Sequence, residues 1–475
     1  MLLKHFFLEK VAHSSYILSG TKTCAVIDPR RDVDIYIDEA RKMGAKITHI
    51  LETHLHADFI SGHVELAEKT GATIYAPKSA RCEFEHVAVS ERDTITFEDI
   101  QLDVLETPGH TPEHVAYTVT DLSRGSAPIG VFVGDVLFVG DVGRPDLFPD
   151  RAEELAGKLY HSLFDKLLKL PDYCEVYPTH GAGSLCGRAI GAKWRTTIGY
   201  ERNFNQSLQI KTEEEFIESL TTNMPPAPDH FSRCSDINRK GPATINSLPM
   251  VEELDASRFL ERMRKPDSLV LDVRSYAAFG GFHIPGAWHI DLQGNFPTFT
   301  GWMMPVDKDI LLTAYDHEDT VTATLWARRV GVDRINAILS GGMAAWATAG
   351  NKIDHVHMVS GEGLYERMSA STEPLVLVDV RTPLEFADSH IEGAVNIPAP
   401  ELRTRYSELH PERPVYLVCS TGNRSSLAAS ILLRNGFEEV YNVAGGMTGY
   451  SAAGHAKQCK VCVNPHGPRF ASLFV

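Results

Sequence analysis

Cysteine is scarce in this chain. Eight occur among 475 residues, too few and too scattered for a disulfide scaffold, so each has to be judged by position as core filler, ligand or nucleophile. Long apolar runs are missing too. The opening MLLKHFFLEK breaks its brief hydrophobic stretch at Glu9 and Lys10, reads as neither a signal peptide nor a membrane span, and makes the cytoplasm the expected compartment. A basic stripe is also lacking. With a formal net charge of −16, the chain is not expected to bind nucleic acid or a membrane, and anionic substrates must be met by local sites. The composition, 43% hydrophobic and 23% charged, is that of a globular protein, and the length suggests three domains of about 150 residues each.

Short apolar runs such as Thr23–Ile27 and Ile47–Leu51 alternate with amphipathic stretches such as Val33–Met43, the pattern of an α/β domain. The prolines of MPPAPDHFSR, from Met224 to Arg233, read as a connecting segment and place the first domain at 1–250. Beyond it the chain repeats. LVLDVRSYAAFGGFHIPGAWHI from Leu269 corresponds to LVLVDVRTPLEFADSHIEGAVNI from Leu375, with Asp272 matching Asp379 and His283 matching His390 at an offset of 107. SGGMAAW from Ser340 matches AGGMTGY from Ala444, where Gly342 to Gly446 gives an offset of 104. Two homologous parallel-sheet domains are expected, at 251–357 and 358–475.

In the first domain, His54, His56 and Asp58 stand at alternate positions in a strand-to-helix loop, where they can converge on a metal. Further donors follow apolar strand-like runs at His110, Asp135 and His180. One such histidine alone would be unremarkable; the ordered set is not.

That set, HxHxD, GH, GD and TH, resembles the metallo-β-lactamase superfamily over about residues 1–240. Many members carry HxHxDH, whose last histidine helps to hold a second metal, and here that position is Phe59. A mononuclear site is therefore favoured. The wording THLHADFISG, PGHTPEH, GDVLFVGDVGRPDL and YPTHGAGSLCG is most similar to the persulfide dioxygenases. The resemblance implies an αββα sandwich and one Fe2+ per chain on His54, His110 and Asp135, leaving positions for a persulfide sulfur and dioxygen. It also implies that His56, Asp58 and His180 orient ligands and move protons. Arg144 and Tyr177 are candidates for holding the anionic substrate or an oxygen species, with structural roles equally open. Cys186 can approach the site and take up sulfane sulfur, or be core filler, the plainer reading.

In the last repeat, the strand-like Val415–Val418 ends at Cys419, Ser420, Thr421, Gly422, Asn423 and Arg424, before a helical pattern. A cysteine at a helix N-terminus faces converging N–H groups, which favour the nucleophilic thiolate. Gly422 lets the loop curl, and Arg424 can grip a bound anion. The six-residue span resembles the active-site loop of rhodanese domains, which implies a Cys419 persulfide cradled by the loop. In the middle repeat the same register puts Tyr315 at the cysteine position and Thr320 at the arginine position. That copy is expected to be catalytically silent, a spacer or docking element, with His317 unassigned. The tail carries Cys459 and Cys462, a weak CxxC signal.

The expected fold is thus an αββα sandwich followed by two α/β rhodanese domains. The expected function is iron-dependent oxidation of a low-molecular-weight thiol persulfide by dioxygen to sulfite, with Cys419 passing sulfane sulfur onward to give thiosulfate. Two alternatives stay open: a Zn2+-dependent thioesterase of the glyoxalase II type, and a non-catalytic sulfur carrier or sensor. The oligomeric state is also open.

Overall fold

The computed structural model describes residues 1–457 apart from 223, 225–226 and 372–374; Cys459 and Cys462 lie outside the described residues. One compact unit spans Met1–Leu248 and a second begins at Pro249. Among the described residues no helix is long and apolar enough to cross a membrane.

The first unit contains two six-stranded sheets, each laid down in chain order. Leu2–Leu8, His13–Ser19, Thr23–Ile27, Lys46–Leu51, Thr73–Pro77 and Val87–Val89 make one. Thr94–Phe97, Ile100–Glu106, Val115–Asp121, Gly130–Gly134, Glu175–Pro178 and Thr196–Thr197 make the other. A shared core that includes Tyr16, Leu18, Leu102, Tyr117, Val119 and Phe132 lies between them. On the outer faces, Tyr36, Ala40 and Leu66 cover the first sheet, and Leu159, Leu163 and Phe216 cover the second. Apolar side chains leave both faces of each sheet, so both need cover, and the result is the expected αββα sandwich. Three strands end at the same rim. Lys46–Leu51 runs on into His54 and His56, Gly130–Gly134 into Asp135, and Glu175–Pro178 into His180.

The second unit holds two five-stranded parallel sheets of the same topology. The spatial order is Glu252–Leu254, Ile335–Leu339, Asp309–Thr313, Ser268–Asp272, Trp288–His289 in one, and His357–Ser360, Val440–Ala444, Val415–Val418, Val376–Asp379, Val395–Asn396 in the other. The repeated DVR wording is structural. Arg381 is buried against Asp379, with Nη2 donating to Oδ2 at 2.6 Å, and reaches on to the Ser389 carbonyl. Arg274, Asp272 and the Phe282 carbonyl repeat this arrangement. Each pair ties a strand end to the loop after the following helix.

Candidate metal centre and sulfur-transfer loop

At the rim of the sandwich, His54, His110 and Asp135 are fully buried and offer donor atoms that all lie within 4.8 Å of one another. Nε2 of His110 is 3.3 Å from Asp135 Oδ2, and Nε2 of His54 is 3.8 Å from it. The remaining ring nitrogens are engaged: His110 Nδ1 donates to the Arg144 carbonyl at 2.9 Å, and His54 Nδ1 lies 2.9 Å from Thr53 Oγ1. His110 Nε2 has no hydrogen-bond partner. Burial lowers the basicity of both imidazoles. Burial works against the Asp135 charge, yet His180, His110 and His54 hold its carboxyl well below the usual range. Two neutral imidazoles, each steadied through its far nitrogen, and one carboxylate make a donor set that fits a divalent cation.

The backbone leading to Asp135 is constrained. His114 accepts the Asp135 N–H on Nε2 at 3.0 Å, while its Nδ1 lies 2.8 Å from Thr107 Oγ1. Gly134 has a left-handed φ of +53°, and a Cβ there would come within 2.3 Å of His114 Nε2, so only glycine fits.

His56 falls in a different donor cluster, with Asp28 and Glu52. Its Nε2 lies 3.2 Å from Asp28 Oδ1 and 3.4 Å from Glu52 Oε2. Burial opposes its charge, but the two carboxylates raise its pKa to about 10. Asp28 also accepts from Thr53 N at 2.8 Å and from the hydroxyls of Thr53 and Thr179 at 2.9 and 2.8 Å. It joins the loop carrying His54 to the loop carrying His180. Asp28 and Glu52 were not foreseen; the available signal was an acid directly behind each of the apolar strands Thr23–Ile27 and Lys46–Leu51.

His180 lies between carboxylates, with Nδ1 2.8 Å from Asp135 Oδ1 and Nε2 2.9 Å from Asp58 Oδ2. Burial resists its protonation, and Asp135 and Asp58 overcome it, raising the pKa well above the ordinary value. Cys186 joins Asp58 and His180 in a second donor cluster. It is both buried and beside the site, and burial, reinforced by Asp58 and Asp135, pushes its thiol up to about 12. Phe59 is buried with its ring stacked on His56 at 4.5 Å and set against His13 at 4.0 Å.

For Arg144 and Tyr177, left open between holding a ligand and a structural role, the structure shows structural contacts. Arg144 does not present its guanidinium to a substrate: Nε and Nη2 both grip Asp146 at 2.7 Å, and Nη1 donates to the Leu185 carbonyl. Its contribution to the site is the carbonyl that holds His110. Tyr177 packs with Tyr16 and Phe132 between the sheets, and its hydroxyl donates to Glu175. Residues two apart on a strand share a face, so the hydroxyl finds a carboxylate two residues back.

In the last domain, Cys419 is buried between strand Val415–Val418 and helix Asn423–Arg434. Its Sγ accepts the Gly422 N–H at 3.1 Å and lies 3.3 Å from Ser425 Oγ, which donates to Asn442. The Ser420 and Cys419 carbonyls accept from Thr448 and Met447. Gly422 has φ +108°, and a Cβ there would be 3.0 Å from the ring of Tyr276, so the middle domain backs this loop.

Arg424, expected to grip a bound anion, has a protein partner. Its guanidinium is spent on Glu385, with Nη1 to Oε2 at 2.7 Å and Nη2 to Oε1 at 2.8 Å, and Nη2 also donates to Ser420 Oγ at 2.8 Å. These contacts shape the loop, and Nε has no hydrogen-bond partner. Burial disfavours the Glu385 carboxylate, yet Arg424 holds its pKa far below the ordinary carboxyl value. Glu385 was missed. The repeat carried a signal for it, since the 107-residue offset puts Ala278 at its position in the copy that has Thr320 for Arg424; both halves of the pair are gone together. In that copy Tyr315 is exposed, with its hydroxyl 2.7 Å from Ser275 Oγ, and Thr320 Oγ1 donates to the His317 carbonyl.

Comparison with known proteins agrees with these architectures. The metallo-beta-lactamase superfamily matches residues 8–180, and the rhodanese-like domain matches residues 255–349 and 362–453. A hydroxyacylglutathione hydrolase of Pseudomonas entomophila is 32% identical over 222 residues, 47% of this chain and 82% of that protein. The mitochondrial persulfide dioxygenase ETHE1 of Mus musculus is 28% identical over 241 residues, 49% of this chain and 85% of that protein. A crystal structure of a metallo-beta-lactamase from Staphylococcus aureus covers 71% of this chain and 98% of its own, at 33% identity and a TM-score of 0.65. The chain belongs to the metallo-β-lactamase superfamily, its N-terminal domain fused to two rhodanese domains. It is related both to ETHE1-like and to glyoxalase-II-like proteins.

Proposed function

We propose that the first domain is an iron(II)-dependent persulfide dioxygenase and that the last domain transfers sulfane sulfur through Cys419. The observation that carries this reading is the compact donor set of His54, His110 and Asp135 beside a buried Phe59. Where dinuclear relatives place a histidine, this chain has a ring packed on His56 and His13. When bound, iron(II) supplies redox chemistry with dioxygen that zinc lacks. The balanced reaction is RSSH + O2 + H2O → RSH + SO3²⁻ + 2H⁺, in which the outer sulfur loses four electrons and dioxygen gains four.

The protein groups position and move protons. The Arg144 carbonyl and Thr53 orient the two imidazoles; Asp28 and Glu52 keep His56 charged beneath them. His180, between Asp135 and Asp58, holds a proton that can pass to Asp58. In the last domain the Cys419 sulfur attacks the outer sulfur of a second persulfide, releasing RSH and leaving Cys419–S–SH. Sulfite then takes that outer sulfur as thiosulfate, and the thiolate returns. The Gly422 N–H stabilises the sulfur anion in both steps.

One observation favours a second reading, zinc-dependent thioester hydrolysis: Asp58, His180 and Cys186 form another buried donor cluster next to the first, and hydroxyacylglutathione hydrolases are among the relatives. Metal analysis of purified protein with an acyl-thioester assay separates the two. One iron per chain and no thioester hydrolysis is the expected result; two zinc ions with rapid hydrolysis would overturn it.

A further inference from the structure

His13 opens strand His13–Ser19, is 1% exposed, and has no hydrogen-bond partner on either ring nitrogen. Leaving such a buried group unsatisfied is unfavourable. The backbone before it is also strained. Ala12 adopts φ +50°, a left-handed conformation uncommon for a residue with a side chain. Ser14 N donates to the Thr179 carbonyl at 2.6 Å, and Gly181 N donates to the Ala12 carbonyl at 2.9 Å, which pins His13 opposite His180. The imidazole therefore faces the metal-site residues: its centre is 4.0 Å from that of Phe59, 6.0 Å from His180 and 6.1 Å from His56. Two local costs are thus incurred to aim an imidazole at the site.

Among the described residues His13 is in none of the three donor clusters that could hold an ion. Its two unpartnered ring nitrogens leave it free to meet a small ligand held at the metal-site residues. In either tautomer a neutral imidazole presents one N–H donor.

We propose that His13 hydrogen-bonds the anionic sulfur group of the bound ligand, the persulfide on entry and the sulfite oxygens before release. This rests on the dioxygenase reading for the identity of the ligand. The His13 contact then strengthens binding without redox chemistry of its own.

The test is sulfite binding by calorimetry to the full chain loaded with zinc in place of iron, so that nothing turns over, and carrying Cys419→Ser so that only the first domain responds. His13→Ala and His13→Phe should weaken sulfite binding about tenfold or more, the scale of a hydrogen bond to a charged group, with metal content unchanged. His13→Gln, which keeps an N–H donor, should recover most of the loss. Equal binding by the protein with His13 and by His13→Phe, or no sulfite binding by either, overturns the proposal. Oxygen uptake by the iron-loaded protein is a separate reading: sulfite held through His13 without any persulfide-dependent oxygen uptake would sink the dioxygenase assignment and leave the His13 contact standing.

Discussion

At the scale of single residues, the proposal of one ion in the first domain turns on Phe59. Its ring fills the space beside His56 and His13, so Phe59→His should raise bound metal from one to two ions per chain by elemental analysis; an unchanged count would show that the ring is not the barrier. In the last domain the deciding pair is Glu385 with Arg424. Breaking a buried pair from one side leaves a charge uncompensated, so Glu385→Gln should cost about 3 kcal/mol of that domain's stability in denaturant. The pH dependence has a definite sign. Because the folded-state pKa lies below the ordinary 4.5, the contribution is present above about that value and is lost as pH falls below it. Glu385→Gln should therefore flatten the acid limb of the stability curve between neutral pH and pH 3; an unaltered acid limb would contradict the assignment. The convergence of His54, His110 and Asp135 was legible in the sequence because the ordered HxHxD, GH, GD and TH wording behind strand-like runs resembles a known superfamily. The roles of Arg424, Arg144 and Tyr177 were not, because each is set by a partner whose geometry only the fold supplies.

At the scale of elements, the loops do the positioning. The Cys419 loop turns at Gly422 in a conformation that excludes most side chains and lies against Tyr276 of the preceding domain. Gly422→Ala should lower sulfur transfer from thiosulfate to cyanide by at least tenfold, on the order of the 1–3 kcal/mol that strained backbone costs. Full activity would mean that the loop tolerates another path. The repeat itself was plain in the sequence, and its strands appear where the wording placed them. Strand order was less accessible: His357–Ser360, first in its domain, pairs with Val440–Ala444, near the end. Such long-range pairing has no local signature. The tie that Asp28 makes to Thr53 and Thr179 spans 151 residues in one of its two directions, and is illegible for the same reason.

At the scale of the whole molecule, one chain carries a candidate producer of sulfite and a candidate sulfur donor to it. Fusion raises the local concentration of a reactive intermediate. Cys419→Ser should leave persulfide-dependent oxygen uptake within about twofold of the parent, since no oxidation step needs it, while the product shifts from thiosulfate to sulfite; thiosulfate persisting as the main product would show that another group carries the sulfur. The middle domain has lost nucleophile, arginine and glutamate at matching positions, yet it supplies the ring that backs Gly422.

On the proposed reading, the first domain consumes dioxygen to oxidise a persulfide. The most direct test of this reading is to load the full chain with iron(II) and measure oxygen consumed per low-molecular-weight persulfide oxidised, on the Cys419→Ser background where no sulfur is diverted. One dioxygen per sulfite formed, with none consumed by the zinc-loaded protein, is the predicted result; no persulfide-dependent oxygen uptake by the iron-loaded protein would contradict it.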